Sequence, residues 1–190
     1  MNYFDKDAIS ATLLKTVVKQ SPVHAEERMK NFKATPNMKL GTAFHAKILE
    51  LPEYDNLIVV SPDCDKRTKA GKETHAKFLE TVGDKTVITH DQSVLVENMA
   101  KACMAHPQVQ RLIEDCYGVE MEVDFDFDDM ACKSKIDMVN DSGTIVDIKT
   151  CQDASPEGFK RASANFLYHL QLAWYARAMG IDWKDVDAYI

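Results

Sequence analysis

The stretch Cys132-Lys133-Ser134-Lys135-Ile136-Asp137-Met138-Val139-Asn140-Asp141-Ser142-Gly143-Thr144-Ile145-Val146-Asp147-Ile148-Lys149-Thr150 decides the fold. Two runs of strand-forming residues, 132–139 and 144–150, flank a cluster of turn formers, and that order predicts a β-hairpin. Residues two apart in a strand share a face, so Asp147 and Lys149 stand side by side while Ile148 points into the core. If the hairpin uses a three-residue loop, Asp141-Ser142-Gly143 with Gly143 in the left-handed region, Asn140 faces Thr144 and, counting back, Asp137 faces Asp147; a loop one residue longer or shorter replaces that pairing. Directly opposed residues have Cβ atoms about 4.5–5.5 Å apart, where two carboxylates repel unless a cation lies between them. A hard, oxygen-liganded divalent ion such as Mg²⁺ suits the pair. The same residues also suit a plain antiparallel hairpin with both aspartates solvated and Lys149 as their surface counter-ion. What favours a site is that the apolar run Ile145-Val146-Asp147-Ile148-Lys149 gives two positions to charge.

Upstream, Glu120 to Phe127 alternates strictly, with Met121, Val123, Phe125 and Phe127 on one face and Glu120, Glu122, Asp124 and Asp126 on the other: a half-buried strand with an acidic face. The first 50 residues read as helices that form an arm over the core, with Ile9, Leu13, Leu14, Val17 and Val18 at helical spacing. Thr35-Pro36 caps a helix from Met38 to Glu50 whose apolar stripe is Leu40, Phe44, Ile48 and Leu51, with Gly41 and His45 on an adjoining face. Leu57 to Ser61 reads as a short buried strand, the basic segment Lys66 to Lys72 leads into a helix through Leu79, and another helix runs from about Gln92 to Met104. Downstream, Ser155-Pro156-Glu157 opens a helix that Ser163-Ala164-Asn165 interrupts. A last helix, Phe166 to Met179, stops at Gly180. On it Tyr168, Gln171 and Tyr175 recur at i, i+3 and i+7 and share a polar stripe beside Leu167, Leu170 and Trp174. Val186 to Ile190 starts a strand.

At 190 residues with 45% hydrophobic content the chain has the length of one domain, and wholesale disorder is excluded. Against 23 Lys and Arg stand 30 Asp and Glu, a net charge of −7, so no global positive field draws nucleic acid and any DNA contact is local. The longest aliphatic run, Leu57-Ile58-Val59-Val60, is far short of the about 18 apolar residues of a membrane span. With no secretion or sorting signal, a cytoplasmic location is the expectation. The 5 cysteines are odd in number and widely spaced, which predicts free thiols.

Asp137 followed by Asp147-Ile148-Lys149 resembles the PD-(D/E)XK nuclease signature, with Ile136 in place of its proline. The surroundings sharpen the match: Gly41-Thr42-Ala43-Phe44-His45, then Lys66-Arg67-Thr68-Lys69-Ala70-Gly71-Lys72-Glu73, then Cys132 to Asp137, then Tyr168-His169-Leu170-Gln171 with Tyr175. In that order they resemble the C-terminal nuclease domain of exodeoxyribonuclease VIII, the RecE family, related to the nuclease domain of RecB, over residues 8 to 180. The resemblance implies an α/β (α+β) fold: a central mixed β-sheet flanked by helices, as one domain over 1–190, with a helical arm and His-motif helix in 1–50 and a catalytic core in 120–180. That family's domain continues with further strands beyond the glutamine helix, so a C-terminally shortened domain is expected.

The resemblance implies a Mg²⁺-dependent exonuclease, with Mn²⁺ able to substitute, that degrades linear double-stranded DNA from the 5′ end. It would leave 3′ single strands for a RecT-like annealing protein in recombination, in a phage and as a ring-like homo-oligomer. By motif position His45, Asp137, Asp147 and the Ile148 carbonyl hold the metal, Lys149 is the catalytic lysine, and Gln171 with Tyr175 forms the helix motif beside them. Glu120 takes the place of a strand glutamate that acts with them, unless Glu122, on the same face, does so; Glu73 matches an acidic residue of the basic segment. Lys66, Arg67, Lys69 and Lys72 would grip phosphates, and Lys133 and Lys135, on the face of Asp137, would hold DNA near the metal together with Tyr168 and Tyr175. The alternatives are a catalytically impaired DNA-end-binding or assembly protein on the same fold, and an endonuclease.

Overall fold

The computed structural model describes residues 3–190. In chain order the helices are α1 (Ala11–Lys19), α2 (Pro22–Lys30), α3 (Pro36–Leu49), α4 (Tyr54–Leu57), α5 (Lys69–Thr81), α6 (His90–Met104), α7 (Pro107–Glu114), α8 (Pro156–Phe166) and α9 (Tyr168–Ala178). The strands are β1 (Ile58–Val60), β2 (Thr86–Ile88), β3 (Cys116–Phe127), β4 (Met130–Asn140), β5 (Ile145–Val146) and β6 (Ala188–Tyr189). The chain divides into two compact units, one made of the residues up to Lys33 with Leu112–Ile190, the other of Ala34–Arg111. The expected helical arm begins at Met1; Met1 and Asn2 lie outside the described residues. No described helix is long and apolar enough to cross a membrane, and the five cysteines are free thiols.

The first unit is built on a four-stranded mixed sheet in the order β3-β4-β5-β6. β3 and β4 pair antiparallel through Phe127↔Met130, closed by Asp128 and Asp129 at φ 48° and 62°. Two left-handed residues in a two-residue loop match the twist of the flanking strands. β4 and β5 pair antiparallel, Met138↔Val146 and Val139↔Ile145, and β6 joins β5 in parallel. Between β4 and β5 the loop is the expected Asp141-Ser142-Gly143, with Gly143 at φ 81°. Asn140 holds it: its Oδ1 accepts from the Ser142 and Thr144 amides at 3.1 and 2.7 Å.

The second half of that hairpin departs from expectation. The strand predicted over 144–150 is hydrogen-bonded as strand only at Ile145–Val146. The reason is local: the Ile148 amide donates to the Asp137 carboxylate at 2.7 Å rather than to a main-chain carbonyl, and the ladder ends there.

One core holds the sheet to α9. Ile136, Val139 and Ile145 are fully buried, and Trp174 and Tyr175 of α9 close over them with Met121, Val123, Phe125 and Phe127 of β3. Phe125 meets the Trp174 ring edge-on at 5.1 Å between centroids. The indole N–H, which burial would otherwise orphan, donates to the Lys133 carbonyl at 3.1 Å. The helix break expected at 163–165 falls instead at Leu167, whose φ of 51° separates α8 from α9. Helix α1 starts on a Ser10 cap and packs on α9 with Ala11 buried, but Val17 and Val18, read as part of its apolar stripe, are exposed.

In the second unit, β1 and β2 form a parallel pair connected through α5, as parallel strands require. A core of Ala43, Ala46, Ile58, Ile88 and Val96 joins α3 and α6 to these strands. Thr35 caps α3 by accepting from the Met38 amide at 3.3 Å. Leu51, assigned to the apolar stripe of α3, lies beyond it and is exposed. Gly71 lets α5 begin against the Asp65 carbonyl, since a Cβ there would stand 2.0 Å from that oxygen. Strand β2 and helix α7 escaped the sequence reading; β2, at three residues, is too short to show a period.

Candidate active site

The site grows out of the β4–β5 hairpin. Its register places residues summing to the same number opposite each other, so one step beyond Met138↔Val146 stand Asp137 and Asp147. Both carboxylates are buried, Asp147 at 1% and Asp137 at 8% exposure, in a sheet whose neighbouring positions are Ile136, Met138, Ile145 and Val146. Burying one carboxylate disfavours its charge, and burying two together does so twice over unless cations answer them.

The answers are specific. The Lys149 ammonium, itself 19% exposed, forms an ion pair with Asp147 Oδ2. Asp147 Oδ1 accepts from the Gln171 amide of α9 at 3.3 Å. The same amide donates to the Tyr175 hydroxyl oxygen at 2.5 Å. Burial, then the charges of Asp147 and Asp137, push the Tyr175 hydroxyl pKa far up, so it stays protonated. Lys149 also lies 5.6 Å from the centroid of the Tyr168 ring.

Glu120 joins from β3. Its φ of 49° is left-handed, which interrupts the in–out alternation of the strand. Its carboxylate comes within 4.8 Å of that of Asp137 and accepts from Lys135 at 2.6 Å, with the side chain 16% exposed. Glu122 goes elsewhere: it is exposed and pairs with Lys6 at 3.4 Å. The two glutamates that the alternation left equivalent are therefore told apart by one backbone angle.

Several residues expected to contact DNA are otherwise engaged. Lys133 is buried, and its ammonium donates to the Tyr3 and Lys6 carbonyls at 2.8 and 2.6 Å, so it ties down the N-terminal segment instead of facing solvent. Burial, then the Lys6 charge, lowers its pKa. Lys135 is taken by Glu120. Tyr168 and Tyr175 are buried, at 6% and 4% exposure.

In the other unit His45 sits half-buried on α3. Lys66, Lys69, Lys72 and Glu73 are exposed at the start of α5, and Arg67, also exposed, is held by Asp65 at 3.0 Å. The sequence reading missed Lys15 of α1, whose ammonium donates to the Gln171 side-chain carbonyl at 2.7 Å. Its one signal was position: it lies four residues after buried Ala11, on the inward stripe of α1.

The donor set fits a hard divalent ion. Asp137, Asp147 and Glu120 offer carboxylate oxygens, and Asp147 Oδ2, buried with no aligned hydrogen bond among the described residues, pairs with the Lys149 ammonium.

Among curated proteins none matches the chain. The profile of a family described as a PDDEXK-like domain of unknown function (DUF3799) matches residues 10–185, nearly the whole chain. Proteins with PDDEXK domains generally use divalent metals, and the domain points to nuclease-type chemistry. The mixed sheet, its helices and the Asp137, Asp147, Lys149 constellation agree with that match, and the chain belongs to this PDDEXK-like family.

Proposed function

We propose that the protein is a Mg²⁺-dependent exodeoxyribonuclease of the RecE kind, acting on linear double-stranded DNA. The observation that carries the reading is the pair of buried, opposed carboxylates of Asp137 and Asp147 with the Lys149 ammonium on the second. A structural ion pair needs one carboxylate, whereas a second one buried beside it is a cost that catalysis explains.

Asp137, Asp147 and, from β3, Glu120 would hold the ion; by the resemblance alone His45 and the Ile148 carbonyl are added to them. When bound, the ion supplies Lewis-acid relief of the negative charge that builds on the scissile phosphate. Lys149 orients the attacking water and takes up or offsets charge as the bond to phosphorus forms. Asp147 holds Lys149 in place, and Gln171 fixes the other oxygen of Asp147, so the lysine meets the substrate in one orientation. Lys66, Arg67, Lys69 and Lys72 would grip phosphates.

The resemblance supports the finer parts of the proposal: 5′-to-3′ polarity, 3′ single strands handed to an annealing partner, a ring-like assembly, and the whole of 1–190 acting as one domain. The test is incubation of the purified chain with linear and closed circular duplex DNA, with Mg²⁺ or EDTA, beside Lys149→Ala. Loss of the linear form alone, dependent on Mg²⁺ and absent in the variant, is expected. Cutting of closed circles would replace the exonuclease with an endonuclease, and DNA bound but never cut would leave an end-binding protein.

A further inference from the structure

We propose that Lys15 is a positioning residue of this site: its ammonium holds the Gln171 side-chain carbonyl and so turns the Gln171 amide onto Asp147. The argument begins with α1, where the Ser10 side chain accepts from the Leu13 amide at 3.3 Å and fixes the start of the helix. Ala11, Lys15 and Lys19 then follow one stripe at four-residue spacing. Ala11 is buried in the core, Lys15 reaches Gln171 of α9, and Lys19 donates to the Asn165 carbonyl at the end of α8. The inward stripe of α1 therefore runs along the α8–α9 corner, and Lys15 is the member that meets the site.

Chemistry makes the contact directional. An ammonium has three donors and no acceptor, while a glutamine side chain has one acceptor oxygen and one donor amide. With the oxygen on Lys15 at 2.7 Å, the amide must face Asp147 Oδ1 at 3.3 Å and the Tyr175 hydroxyl at 2.5 Å. The flipped rotamer would set the amide against the ammonium and the oxygen against the Asp147 carboxylate, two repulsions in place of two attractions. Removing Lys15 removes one of those two repulsions and so lowers the penalty on the flip. A second cation also stands near Lys149, and burial, then the Lys149 charge, lowers the Lys15 pKa to about 8, so at neutral pH it remains a donor. Lys15 touches neither the expected metal nor the phosphate; it acts through Gln171.

The kinetic arm of the test rests on the nuclease reading, and the spectroscopic arm does not. In the metal-free full chain, the Gln171 side-chain amide resonances, assigned with Gln171→Ala, are expected to shift in Lys15→Met and to return toward wild type in Lys15→Arg. If Lys15→Met does not fold, Lys15→Ala takes its place, alanine being the best helix former at a half-exposed site. In cleavage, Lys15→Met should lower kcat about tenfold with KM little changed, and the double variant with Gln171→Ala should be no slower than Gln171→Ala alone. Unshifted Gln171 resonances, or effects that multiply in the double variant, would overturn the role. If the wild type cuts no DNA, the nuclease reading fails and the resonances still decide whether Lys15 positions Gln171.

Discussion

Two sets of carboxylates lie within three strands of each other and have opposite fates. On β3, the edge of the sheet, Glu122 and Asp124 are 42% and 61% exposed and share Lys6, and Asp126 is exposed beside them. On β4 and at the end of β5, inside the same sheet, Asp137 and Asp147 are buried. The outer set is what an edge strand carries to stay solvated and to discourage pairing with another chain. Lys6 answers it from the surface, its pKa raised first by its hydrogen bond to Asp124. The inner set is answered by Lys149, the Ile148 amide and Gln171, all fixed by the fold. The difference teaches that acidity alone marks nothing here; a carboxylate becomes chemistry where the sheet removes it from water and supplies directional partners.

Substitution can break that contrast. Asp147→Ala or Lys149→Ala should lower cleavage by about 10²–10⁴-fold, the range for removing a group that moves or places a proton. Asp124→Ala and Asp126→Ala should stay within about twofold, as surface changes do. An Asp126→Ala variant as crippled as Asp147→Ala would erase the distinction. The same contrast holds for stability. Trp174→Ala should cost about 3–5 kcal/mol in denaturant titration because it empties the core between α9 and the sheet. Tyr117→Ala, on the exposed part of β3, should cost under about 0.5 kcal/mol, and equal losses would mean that the core has been misplaced.

The smallest effect is a pH dependence that sharpens the inner set. The Lys15 pKa is lowered by burial and Lys149, with Arg28 adding to this and Asp147 opposing it. A folded pKa of about 8, below that of the unfolded chain, means the unfolded state binds more protons above pH 8. Folding carries the full cost of the buried charge below pH 8 and sheds it as the pH rises toward the ordinary lysine value. The stability of wild type relative to Lys15→Met should therefore improve across that window, modestly because water reaches the ammonium. A gap that stays constant from pH 7 to 10 would contradict it.

The hairpin was legible in its turn residues, and its register hung on the loop length: the structure has the three-residue loop, held by Asn140 and turned at Gly143, that sets Asp137 against Asp147. The helix starts at Ser10 and Thr35 were legible for the same reason, a side-chain oxygen beside free amides. Alternation told which face Lys133 takes but not that the segment around Tyr3 and Lys6 covers it, because such covering is set by residues more than a hundred positions away. Glu120 was inseparable from Glu122 until its positive φ was seen, since no glycine or asparagine announces that angle. Tyr168 and Tyr175 share a helix stripe that spacing reveals, but their burial it does not; spacing gives a direction around α9 and says nothing of how closely the sheet approaches.

The most direct measurement is calorimetric titration of Mn²⁺ into wild type, Asp147→Asn and Asp124→Asn, each checked for folding by circular dichroism. The account predicts saturable binding to wild type and to Asp124→Asn, and its loss or severe weakening in Asp147→Asn. Binding that survives in Asp147→Asn, or that vanishes with Asp124→Asn, would contradict the claim that the buried pair is the metal site.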